Sequence, residues 1–304
     1  MSFNATDAAF EGIRVGRRHP RSILIWSVLM LVFSLGSTLL MFSGYGPLFA
    51  ELETIDPGTD PQAAMEIMSR LVPFYVIATP AFVVFFGVFY TAVYRAVLRP
   101  NDKKWGHLRL GRDELRMMGL FVYQMVVWLG VMLAAGMVFG LLVALGIASG
   151  MGGEAGAAGV ASAAIVSLIL YFVFAGFAIW AAVRLSLAQP MTFEQKKIVL
   201  FKSWPLTKGR FWPLLGCYLL ALVTGFVVSL LGGAIGMAMM VAFGEFTDLA
   251  TMMQPDFTSL GAYLTPGRVA MLVVNSIIST MAYAIFLAPA AAAYRDIQGL
   301  QTGE

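Results

Sequence analysis

Six long apolar stretches alternate with short polar ones along the chain, roughly over 22–44, 71–94, 117–148, 159–183, 211–243 and 267–294. About 20 apolar residues in a row suffice to cross a ~30 Å hydrocarbon core as a helix. The pattern therefore predicts an all-α integral membrane protein with six transmembrane helices, paired as three hairpins. The third and fifth stretches are longer than a crossing needs, so they must tilt, bend or project. Each odd-numbered span follows a basic, partly amphipathic segment, and the sequence predicts a cytoplasmic interfacial helix in each. The first lies at Phe10–Arg14, the second at about 106–116 and the third at about 193–204. Arg109, Arg112, Asp113 and Arg116 have the spacing of one helix face, with Leu108, Leu115 and Met118 on another. Trp105 is placed as an interface anchor. Thr192-Phe193-Glu194-Gln195 reads as a capping box.

Composition supports the membrane reading. Hydrophobic residues make up 59% of 304 and charged residues 12%, against roughly 25% charged in soluble domains. Charge then orients the spans. Four arginines in 1–21, seven basic residues in 95–116, six in 184–210 and Arg295 account for 18 of the 20 lysines and arginines. Nine of the 17 acidic residues fall in the other loops, which hold only Arg70 and Arg268 as cations. Lys/Arg-rich loops stay on the cytoplasmic side, so both termini are expected there. The run 22–44 is too long for the apolar core of a signal peptide, which predicts a retained first helix.

The chain reads as a single membrane domain over 1–304, with candidate internal repeats at 9–97, 106–185 and 196–297. Ala92-Val93-Tyr94-Arg95, Ala182-Val183-Arg184 and Ala293-Tyr294-Arg295 close the even-numbered spans with similar text. Common ancestry explains this. So do snorkelling and the helix C-terminal dipole, which favour arginine there in any case. Of the outer loops, 45–70 is acidic and carries Asp60-Pro61, a helix start. A short surface helix is expected at Ala63–Leu71. The loop at 149–158 reads as a plain flexible turn, and 244–266 is acidic with two prolines.

No charged residue sits at mid-span. The polar residues there are neutral: Gln124, Thr224, Ser229, Asn275, Ser276, Ser279 and Thr280. Interhelical hydrogen bonding accounts for them, and Asn275, Ser276, Ser279 and Thr280 also form a candidate solute site. Gly136-x-x-x-Gly140 and Gly232-x-x-x-Gly236 have the spacing that lets two helices approach closely. Pro80 and Pro289 can kink the second and sixth spans. His19 and His107, in basic segments, read as solvated cations, and Cys217 as a small packing residue. No zinc, phosphate-loop or nucleophile-elbow motif occurs. No enzyme activity, cofactor, metal or nucleic-acid partner is therefore expected. The candidate lipid head-group ligands are Arg109, Arg112, Arg116, Lys196, Lys197, Lys202, Lys208 and Arg210.

The stretch Ser203-Trp204-Pro205-Leu206-Thr207-Lys208-Gly209-Arg210-Phe211-Trp212-Pro213-Leu214-Leu215-Gly216 follows Arg184-Leu185-Ser186-Leu187-Ala188. Over roughly 180–240 it resembles the membrane domain of bacterial glycerophosphodiester phosphodiesterases and related six-span inner-membrane proteins. That resemblance implies a bacterial inner (plasma) membrane module. It does not imply the hydrolysis, because the chain has no hydrolase domain and none of its acid–base residues. Two functions follow as expectations. One is a non-enzymatic membrane protein that associates with anionic lipid or organises membrane partners. The other is a transporter or channel for a neutral or amphiphilic solute.

Overall fold

A computed structural model of the chain describes residues 3–55, 60–149, 155–245 and 260–300. Half of the expected turn at 149–158 and most of the acidic loop at 244–266 lie outside the described residues. The helices are α1 (Ala5–Ala9), α2 (Glu11–Arg18), α3 (Pro20–Leu40), α4 (Gly46–Thr54), α5 (Pro61–Leu98) and α6 (Arg112–Ser149). They continue with α7 (Ala155–Leu185), α8 (Ala188–Gln195), α9 (Ser203–Leu206), α10 (Phe211–Ala242), α11 (Leu260–Tyr263) and α12 (Pro266–Gln298). Among the described residues there is no strand. Six helices are long and apolar enough to cross a membrane, and the protein is an all-α, multi-pass membrane protein.

Local sequence explains the helix ends. Pro20 occupies the first turn of α3, where a missing N–H costs nothing. Asp60 caps α5, its side chain accepting from Ala63 N at 3.0 Å, and Pro61 follows. The helix expected at Ala63–Leu71 is not separate. It forms the opening turns of α5, which runs 38 residues through Pro73 and Pro80. At ~1.5 Å per residue this far exceeds the bilayer core, so α5 projects beyond it. Gly44, with φ 110°, turns the chain between α3 and α4, a conformation glycine adopts without a Cβ clash.

Two of the three expected interfacial helices differ from expectation. The N-terminal one is present as α1 and α2. Before the third span, Lys104–His107 forms a single tight turn, and helix begins only at Arg112. Trp105, Gly106 and His107 all have positive φ, a conformation that cannot continue a right-handed helix. Arg109 therefore precedes the helix and does not share its face with Arg112 and Arg116. Before the fifth span, the expected helix at 193–204 is broken. Its start belongs to α8, which stops at a left-handed Lys196, and its end to α9. Thr192 is no N-cap: it is buried inside α8, and its Oγ1 accepts from Val199 N at 3.2 Å.

The chain divides into two compact units, Met1–Glu114 with Gly216–Glu304, and Leu115–Leu215. In the first, α12 packs against α2, α3 and α5. An aromatic ladder fills this core. Trp26 and Phe89 meet edge to face at 5.8 Å, Phe33 stacks on Phe85 at 4.0 Å, and Phe89 meets Tyr283 at 5.9 Å. Such pairs add roughly 0.5–1.5 kcal/mol each beyond area burial. A Cβ on Gly12 would collide with the Ile285 backbone, so α2 lies directly on α12. Cys217 packs among Ala8, Ala9 and Ala292. In the second unit, Gln189 Nε2 donates to Gln124 Oε1 at 3.4 Å and Tyr123 meets Phe201 at 6.2 Å. Leu129, Leu133, Leu168 and Phe172 are exposed by more than half on α6 and α7. Water would not tolerate so much apolar surface, whereas hydrocarbon does.

Candidate functional site

The basic segments of the first unit meet at one end of it. Arg295, ending α12, reaches the buried Glu11 at 3.5 Å, and Arg14 holds the same carboxylate at 3.3 Å. Arg95, ending the apolar part of α5, donates to the His107 carbonyl and to Glu114 Oε1 at 2.5 Å. His107 is fully buried, with Nδ1 3.0 Å from Ser22 Oγ, which overturns its reading as a solvated cation. Trp26 Nε1 donates to the Gly106 carbonyl at 2.7 Å. These bonds clamp the turn 104–107 onto the start of α3.

Arg184, in the second unit, stands in the corresponding place at the end of α7. It lies against Trp180 and Trp204, at 5.7 and 6.0 Å from their ring centroids. Its own carbonyl accepts from Ser203 Oγ at 2.7 Å. Arg95, Arg184 and Arg295 thus each touch the basic segment that leads into another hairpin. Arg95 and Arg295 find a buried carboxylate there, whereas Arg184 finds aromatic faces and hydroxyls.

Two concavities adjoin the clamp. The first is a cleft of about 640 Å³ lined by Arg18, His19, Arg21, Lys103, Lys104 and Trp105, together with Ser22 and Ile25. Among the described residues no carboxylate lines it. None of Arg18, Arg21, Lys103 and Lys104 makes an ion pair among the described residues. Burial, with Lys103 and Arg18 nearby, holds the His19 imidazole below its ordinary value of 6.5. The second is a groove of about 1090 Å³ between α3 and α5. Leu29, Val32, Phe33, Ala81, Val84 and Phe85 form its apolar walls, and Arg109, Arg112 and Asp113 stand at its mouth. Trp105 lines both concavities and is 83% exposed.

The residues singled out from sequence scatter around this geometry. Arg109 and Arg112 reach the groove mouth, although Arg109 is also bridged to Asp102. Arg116 is half-buried on α6, while Lys196, Lys197, Lys202, Lys208 and Arg210 are exposed in the second unit. Gly232 and Gly236 face Ile278 and Met271 of α12, Gly232 so closely that a Cβ would clash. Gly136 and Gly140 face open space. The polar quartet of α12 splits: Asn275 is exposed and Ser279 half-buried, while Ser276 and Thr280 are buried. Ser276 Oγ donates to its own helix at the Leu272 carbonyl, 2.7 Å away. Among the described residues, no three His, Cys, Asp or Glu side chains gather as metal ligands.

Sequence reasoning missed the cleft itself. Its cations come from segments some 80 positions apart, and only the docking of 104–107 onto α3 joins them. No family model matches the chain, and neither a curated protein nor a solved structure is detectably similar to it.

Proposed function

We propose that this is a non-enzymatic membrane protein that associates with anionic lipid through its basic end. We assign that end, and both termini, to the cytoplasmic face of a bacterial inner membrane. The observation that carries the reading is the cleft at the end of α3, where Arg18, Arg21, Lys103 and Lys104 meet with no carboxylate among the described residues. Cations at a membrane surface attract anionic head groups at roughly 1 kcal/mol each. The exposed Trp105 and Trp212 suit the interfacial zone. The lack of a catalytic motif and the split of the α12 polar quartet also favour it over an enzyme or a carrier, since a carrier needs polar groups that converge at mid-span.

The test is reconstitution into phosphatidylcholine vesicles with spin-labelled lipid. The protein restricts the motion of labelled phosphatidylglycerol more than that of labelled phosphatidylcholine, and replacing Arg18, Arg21, Lys103 and Lys104 by Gln reduces the difference. Equal restriction of both labels refutes the reading.

A further inference from the structure

We infer that the basic cleft and the apolar groove form one site for a single anionic phospholipid, with its phosphate in the cleft and one acyl chain in the groove. This rests on the lipid association proposed above and makes it specific. The two concavities are neighbours on either side of the turn 104–107. Trp105 belongs to the wall of both. Ile25 of the cleft and Leu29 and Val32 of the groove recur at i, i+4 and i+7, which is one face of α3. The clamp from Trp26 to Gly106 fixes the turn that separates them.

The dimensions select the occupant. The α3 wall from Ile25 to Phe33 rises about 12 Å at ~1.5 Å per residue. One leaflet of a ~30 Å hydrocarbon core is about 15 Å deep. The groove therefore accepts a chain along one leaflet, entering from the end where the cations stand. Charge selects the head group. Among the described residues the cleft presents Arg18, Arg21, Lys103 and Lys104 and no acid, and the groove's Asp113 and Glu114 share their lining with Arg95, Arg109 and Arg112, so a phosphodiester with no compensating amine fits best. A soluble anion would use the cleft and leave the groove without a role. A lipid uses both.

Native mass spectrometry of the full chain, extracted from vesicles of equal phosphatidylglycerol and phosphatidylcholine, tests this. One phosphatidylglycerol is expected to stay bound. Its retention should fall about tenfold when Arg18, Arg21, Lys103 and Lys104 are replaced by Gln, and similarly when Ala81→Trp fills the groove. A measurement on the unaltered protein does not depend on how the variants fold: dihexanoyl phosphatidylglycerol, with the same head group and short chains, should bind about tenfold more weakly. An excess of inorganic phosphate should leave the long-chain lipid in place. Equal binding of short and long chains, retention unchanged by Ala81→Trp, or displacement by phosphate would overturn the site. If phosphatidylglycerol is not preferred to phosphatidylcholine at all, the broader reading fails with it.

Discussion

Arg95 Nη2 donates to Glu114 Oε1 at 2.5 Å, and both side chains are at most 3% exposed. This pair joins the end of α5 to the first turn of α6 and supports the turn at 104–107 from beneath. A buried pair adds little net stability, but breaking it leaves an uncompensated charge. Glu114→Ala should therefore cost about 3–5 kcal/mol, and Arg95→Met with Glu114→Leu should cost less than either single change. Unfolding in detergent, followed by circular dichroism, gives both numbers. A double variant as unstable as the sum of the singles would mean that the pair does not act as a unit.

The glycines of α6 and α10 give a paired prediction. Gly232→Ala drives a methyl into Ile278 and should destabilise by about 1–3 kcal/mol through overpacking. Gly136→Ala meets nothing within 4 Å and should change stability by no more than about 0.5 kcal/mol. Equal effects would contradict the placement of α10 against α12.

His19 makes a pH prediction. Its imidazole is held below the ordinary 6.5 by burial first and then by Lys103 and Arg18. The unfolded chain therefore binds that proton more readily. The stability contribution is present above pH 6.5 and is lost as the pH falls through the folded value. His19→Asn should flatten this acid limb. A phosphate in the cleft should also raise the His19 value, so an NMR titration with and without phosphatidylglycerol vesicles should show an upward move. A downward move would place the lipid elsewhere.

Six crossings put residues 60 and 103 on opposite sides. In intact cells, Asp60→Cys should react with an impermeant maleimide and Lys103→Cys only after permeabilisation. The native Cys217 is buried and should stay silent. Labelling of both from outside would break the six-span topology.

The fold was largely legible because a bilayer imposes one rule that sequence displays directly, an apolar run of fixed length. The fourth span, read at 159–183, is the helix Ala155–Leu185, and the fifth, read at 211–243, is Phe211–Ala242. The polar segments were less legible, because their backbone is set by tertiary bonds. Arg109 looked helical by spacing, yet the left-handed run at Trp105, Gly106 and His107, held by Trp26 and Arg95, excludes a helix there. The cleft was invisible for the same reason. Lys103 and Arg18 appear in the sequence only as charges in different segments, and their meeting depends on how that turn docks.

The most direct test of the account is the lipid that surrounds the protein. Discs cut by a lipid-preserving polymer from vesicles of known composition should hold more phosphatidylglycerol than the parent vesicle, and high salt should reduce the excess as it screens the exposed cations. Discs that match the parent vesicle at low salt would contradict the claim that the basic end recruits anionic lipid.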